Sequence, residues 1–143
     1  MSKVFRTLAG VIAGVFTAMI LVVAVELICG TLYPPPPGFK GTHEELCEYA
    51  AGYPDWVLAI AAVLWGTTAF ASTWMAHKVG GHPAALVIEV LLTAALVFNL
   101  SMVPYVLWFR FAALLAVGLG IFPFAWDSMK KAPRADSLPA DAA

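Results

Sequence analysis

Residues 26–39 read ELICGTLYPPPPGF, and their reading decides the fold. Glu26 and Cys29 sit within an apolar run, Tyr33 stands at its edge, and Pro34 to Pro37 with Gly38 follow at once. Proline has no amide donor and clashes with the preceding turn, so a helix cannot continue through four of them. An apolar helix that reaches an interfacial aromatic and then stops has the form of a segment leaving a bilayer.

The rest of the chain has the same character. Of 143 residues, 62% are hydrophobic and 12% charged, where a soluble domain carries about 25% charged residues. The apolar residues come in blocks near the roughly 20 needed to cross a hydrocarbon core. Four spans are expected, at residues 8–31, 56–77, 84–102 and 105–124, within one integral membrane domain, 1–143. The fold class is all-α, a four-helix transmembrane bundle with the lipid bilayer as its surroundings. The first run exceeds the roughly 7–15 apolar residues of a signal peptide and lacks an Ala-x-Ala site. Cys29 suggests a lipoprotein signal, but Glu26 stands where that signal needs an aliphatic residue.

Outside the lipid, residues 34–55 form the sizeable loop. The prolines should leave the membrane as stiff polyproline II. Thr42 with Glu45 matches a capping box, so a short helix is expected from His43 to Ala51, ended by Gly52 and Pro54. Tyr49, Tyr53, Trp56, Trp74 and Trp126 suit the headgroup level. Lys78 to Pro83 reads as a tight turn, and Pro104 suits a first helical position. Residues 127–143 form a tail whose last part is expected to be disordered.

Charge gives an orientation. Lys3, Arg6, Lys78, Lys130, Lys131 and Arg134 share one side, and Lys40 alone stands opposite, beside Glu44, Glu45, Glu48 and Asp55. The positive-inside rule then places both termini in the cytoplasm, as in an inner-membrane multi-pass protein.

Three ionisable residues lie inside the expected spans: Glu26, Glu89 and Arg110. A charge at mid-bilayer costs about 2.5–3.5 kcal/mol on insertion scales, so each needs a partner or water. Counting at 1.5 Å per residue puts Glu26 about 10 Å and Arg110 about 9 Å inside the outer interface, with Asn99 level with them. A Glu26–Arg110 ion pair with Asn99 beside it is expected, holding helix register or forming a substrate or ion site. Glu89 has no cation at its depth, and Ser72, Thr67 and Thr68 are its reachable polar neighbours. Lys78 could snorkel toward it, and Glu89 is either a candidate proton site or a neutral acid that bonds a hydroxyl or snorkels inward.

Gly10, Gly14 and Ala18 make a small-residue face for close helix packing, within the chain or with a second copy or another membrane protein. Gly118 and Gly120 could receive a helix likewise. Cys29 and Cys47 both fall on the outer side, where a disulfide can form. His43 and Cys47 share one helical turn, but a structural zinc site needs four ligands, so no metal is expected. No phosphate loop, nucleophile arrangement or basic groove suggests an enzyme, a cofactor or a nucleic-acid partner.

With Glu26 and Tyr33-Pro34-Pro35-Pro36-Pro37-Gly38, the chain resembles small uncharacterised bacterial four-span membrane proteins. Asn99, Pro104 and Leu107-Trp108-Phe109 are similar to the same family, though Val103 to Val106 lacks the histidine often found there. The resemblance implies a four-helix membrane fold and no activity. Small multidrug-resistance exporters are similar in span count and in a first-helix glutamate, and the long outer loop and Arg110 depart from them. Two readings follow: a non-enzymatic structural or accessory membrane component, or a small proton-coupled carrier or channel using Glu26 or Glu89.

Overall fold

The computed structural model describes residues 2–131. Within them the chain is all-helical: α1 (Lys3–Leu32), α2 (His43–Ala51), α3 (Asp55–Gly80), α4 (His82–Met102) and α5 (Leu107–Lys131). Helices α1, α3 and α4, and Leu107–Phe124 of α5, are long and apolar enough to cross a membrane. Their outward faces carry large apolar side chains in the open, Leu27, Val90 and Leu107 among them. In water that surface would drive aggregation, whereas acyl chains cover it without cost. This is a multi-pass membrane protein.

Helix α3 is the centre of the bundle. It packs against α1, α4 and α5, α4 also touches α1 and α5, and α1 and α5 do not meet among the described residues. These neighbours describe a rhombus with α3 and α4 on its short diagonal and α1 and α5 at its far corners. Small residues allow the approach. A methyl group on Gly10 would lie 2.4 Å from the Gly80 Cα, one on Gly14 2.7 Å from Ile88, and one on Gly120 2.5 Å from the Gly66 carbonyl oxygen. On α3, the buried Ala62, Gly66, Ala69, Thr73, Ala76 and Gly80 recur at alternating spacings of four and three. That is the period of a helix–helix seam. Its Gly66–Ala69 part receives α5, and its Ala76–Gly80 part receives α1. Gly118, by contrast, faces open space.

One end of the bundle gathers the start of α1 and the α3–α4 turn. Arg6 Nε donates to the Val79 carbonyl at 3.2 Å, placing a cation on the carbonyl end of α3. Lys78 to Gly80 stay helical, so α3 runs past its expected end at His77. The turn itself shrinks to Gly81, whose φ of +78° suits glycine. Pro83 then falls in the first turn of α4, where its missing amide is harmless.

The opposite end is capped by aromatics. Tyr33, Tyr49 and Tyr53 have ring centroids 5.4, 5.2 and 4.9 Å apart in pairs, and the Tyr49 hydroxyl donates to the Tyr33 carbonyl. The proline run reverses at Pro37-Gly38: Gly38 has φ +87° and the Phe39 amide donates to the Pro36 carbonyl at 3.2 Å, a type II pattern. The expected capping box forms. The Glu45 amide donates to Thr42 Oγ1 at 3.3 Å, and Glu45 Oε2 accepts from the Thr42 amide at 3.3 Å. Oε2 also accepts from the Lys40 amide at 2.8 Å, and these donors, Lys40 foremost, hold the Glu45 carboxyl below its ordinary range. Burial, joined by a hydrogen bond to Tyr49, pushes the Tyr53 phenol up.

Two boundaries differ from expectation. Pro104 lies in the extended connection instead of opening α5, because Val103 before it takes φ −112°, ψ 130°, the region a following proline favours. Helix α5 also continues through Pro123 to Lys131. The expected disorder of the tail beyond residue 131, Arg134 included, lies outside the described residues.

Gly10→Val should cost about 1–3 kcal/mol of unfolding free energy in a detergent denaturation series, because its side chain meets backbone. Gly118→Ala, in open space, should leave stability unchanged or raise it by up to about 1 kcal/mol. Equal effects would contradict the packing.

Candidate functional site

The expected outer cluster of Glu26, Arg110 and Asn99 does not assemble. Among the described residues the backbones of α1 and α5 do not approach each other closely, with α3 and α4 packed between them. Arg110 turns back on its own segment, its Nε donating to the Tyr105 carbonyl at 3.1 Å. Glu26 and Asn99 are exposed on the bundle surface. Depth arithmetic matched the levels of these residues but carried no information about which helices are neighbours.

The cysteines are also separate. Both are free thiols. Cys29 turns into the core with Val25, Leu58 and Phe109, while Cys47 Sγ lies 3.7 Å from His43 Nε2 and 3.8 Å from the Met102 carbonyl oxygen. The expected disulfide fails because one thiol is on the core face of α1 and the other rests over the end of α4. No group of three His, Cys, Asp or Glu residues that could hold a metal occurs among the described residues. The Gly10–Gly14 face is filled by Ala76 and Gly80 of α3 and Ile88 of α4. A second copy could not use that face without displacing them.

A different polar group emerges at Glu89. It is 7% exposed, and its Oε1 is sealed with no hydrogen-bond partner, as are Ser72 Oγ and Thr73 Oγ1. Ser72 and Thr73 lie nine and eight residues before Gly81, and Glu89 lies eight after it. In an antiparallel pair that puts all three roughly 12–14 Å from the turn, in one layer of the bundle. These two hydroxyls also forgo the back-bond that six others make. Thr7, Thr17, Thr31, Thr67, Thr68 and Ser101 each donate to a carbonyl of their own helix one turn back, at 2.7–3.1 Å.

Glu89 also borders a furrow of about 780 Å³ between α4 and α5, whose lining includes Val90, Ala94, Val97, Phe98, Ser101 and Ile121. The carboxyl is thus sealed on one side and reaches an apolar, lipid-facing groove on the other. Arg6 and Lys78 cannot serve it: Arg6 binds the Val79 carbonyl, and Lys78 Nζ sits 5.0 Å over the Trp74 ring. Sequence reading found Glu89 and Ser72 but assigned Thr67 and Thr68 to the acid, whereas those two hydroxyls back-bond to Val63 and Leu64. Thr73 was missed. Its place in the small-residue seam of α3 was the available signal, since a hydroxyl at such a position is buried.

Comparison with protein-family profiles, curated proteins and solved structures finds no match for this chain.

An unbonded buried hydroxyl is a liability that valine of the same shape removes. Thr73→Val should therefore raise unfolding free energy by about 1–2 kcal/mol, and Thr68→Val, which loses a made hydrogen bond, should not. Destabilisation by Thr73→Val would show that the hydroxyl already has a partner.

Proposed function

We propose that the chain is a non-enzymatic accessory component of a bacterial inner membrane, acting by association with other membrane proteins. One observation carries this reading: among the described residues, no cation is paired with either intramembrane carboxyl. Glu26 is exposed on α1 and Glu89 is unpartnered in its layer, while Arg110 is turned to its own backbone. Intramembrane acids are costly and ordinarily paired, so a chain that leaves two unmatched is incomplete alone. Both termini face the cytoplasm in this proposal. By the count of basic residues along the sequence, Lys3, Arg6, Lys78, Lys130, Lys131 and Arg134 favour that side, and the Arg6–Val79 contact brings the start of α1 and the α3–α4 turn to one end.

A second reading, a small proton-coupled carrier or channel, is favoured by the Glu89, Ser72 and Thr73 layer, since a protonatable acid among hydroxyls can pass a proton. The contacts at Gly10–Gly80 and Gly66–Gly120 weigh against it, because backbone meets backbone there and closes α1 onto α3 and α3 onto α5 at those points.

Proteoliposomes holding a pH-sensitive dye and an imposed proton gradient distinguish the two. The accessory reading expects wild type, Glu26→Gln and Glu89→Gln all to match protein-free vesicles. A wild-type flux that disappears in Glu89→Gln would replace it with the carrier.

A further inference from the structure

We infer that the α4 furrow is a docking site for a transmembrane helix of another chain, one that carries a basic side chain level with Glu89. This deepens the accessory reading and rests on it. The shape of the furrow is the first argument. It is an open trough, and Glu89 to Ser101 spans twelve residues of α4, about 18 Å. A rod-shaped occupant fits such a trough. One stripe of its lining has the chemistry of a helix interface: Val90, Ala94, Val97 and Ser101 recur at spacings of four, three and four, exposed and without long side chains, with the larger Phe98 beside them. Small and β-branched residues at that period let a second helix approach closely.

The acid at one end of the trough selects the occupant. Glu89 is more than nine-tenths buried, lines the furrow and has a carboxyl oxygen with no partner. Its complement in a low-dielectric setting is a cation, and a long basic side chain from a docked helix brings one without further polar groups. A second copy of this chain does not. In the same orientation it presents another Glu89 at that depth, and its intramembrane Arg110 lies near the opposite end, bound to Tyr105.

The test uses the full chain in bicelles and two synthetic leucine–alanine transmembrane helices, one with a central lysine and one with norleucine there. Binding is read by energy transfer from a dye on the synthetic helix to one on the chain. Wild type should bind the lysine helix about tenfold more tightly, the size of a good interhelical polar contact. Glu89→Gln should abolish that preference, and Ala94→Phe, which fills the trough, should weaken both helices. Glu89→Lys should prefer a helix with a central glutamate, which keeps the test valid if the glutamine variant folds poorly. Equal binding of the two helices to wild type, or a preference that survives Glu89→Gln, would overturn the inference. So would occupation of the trough by a second copy, seen as cross-linking between Val97→Cys chains, or by lipid alone, with no helix bound. Proton flux would sink the accessory reading, and lysine-blind binding without flux would sink only this inference.

Discussion

Backbone contact along α3 is the constraint on which the rest of the structure depends. In water, burying apolar surface pulls helices together, but acyl chains are as apolar as the helices and that force is absent. Close packing has to replace it. Gly10 against Gly80 and Gly66 against Gly120 bring main chains near enough that a single added methyl would collide. Because α3 packs against α1, α4 and α5 while α4 touches both α1 and α5, the rhombic arrangement follows. So does the separation of α1 from α5.

That separation has consequences for charge. A bundle in which α1 and α5 touched could have neutralised Glu26 with Arg110 internally. Here Arg110 instead hydrogen-bonds the connection that Pro104 holds extended, and among the described residues neither glutamate is paired with a cation. The polar layer of Ser72, Thr73 and Glu89 arises from the same geometry, since a hairpin turning on one glycine sets residues equally distant from Gly81 at the same level. Its buried oxygens remain unbonded while the neighbouring hydroxyls satisfy themselves on their own helices.

Much of this was legible in the sequence. Four apolar blocks gave the spans, Pro34 to Pro37 the end of the first, and Thr42 with Glu45 the start of the loop helix, because local chemistry determines each of these. Gly81 and Pro83 marked the turn, though its length depended on Lys78 to Gly80 continuing the helix. The errors came where neighbours had to be known. Depth fixes how far a residue lies along the membrane normal and says nothing of angle around it, so the Glu26–Arg110 pair and the Cys29–Cys47 bond were drawn between surfaces that do not face. The overlooked signal was the spacing of Ala62, Gly66, Ala69, Thr73, Ala76 and Gly80, which marks α3 as the helix the others share.

The central claim is that α3 is the axis of the bundle and keeps α1 and α5 apart. Disulfide trapping in a background of Cys29→Ser and Cys47→Ser tests it most directly. A Cβ on Gly120 would lie 3.4 Å from that of Ala69, close to the roughly 3.5–4.5 Å a disulfide requires. Ala69→Cys with Gly120→Cys should therefore form an intrachain bond in the membrane, and Glu26→Cys with Arg110→Cys should not. Efficient bonding of the second pair and none of the first would contradict the account.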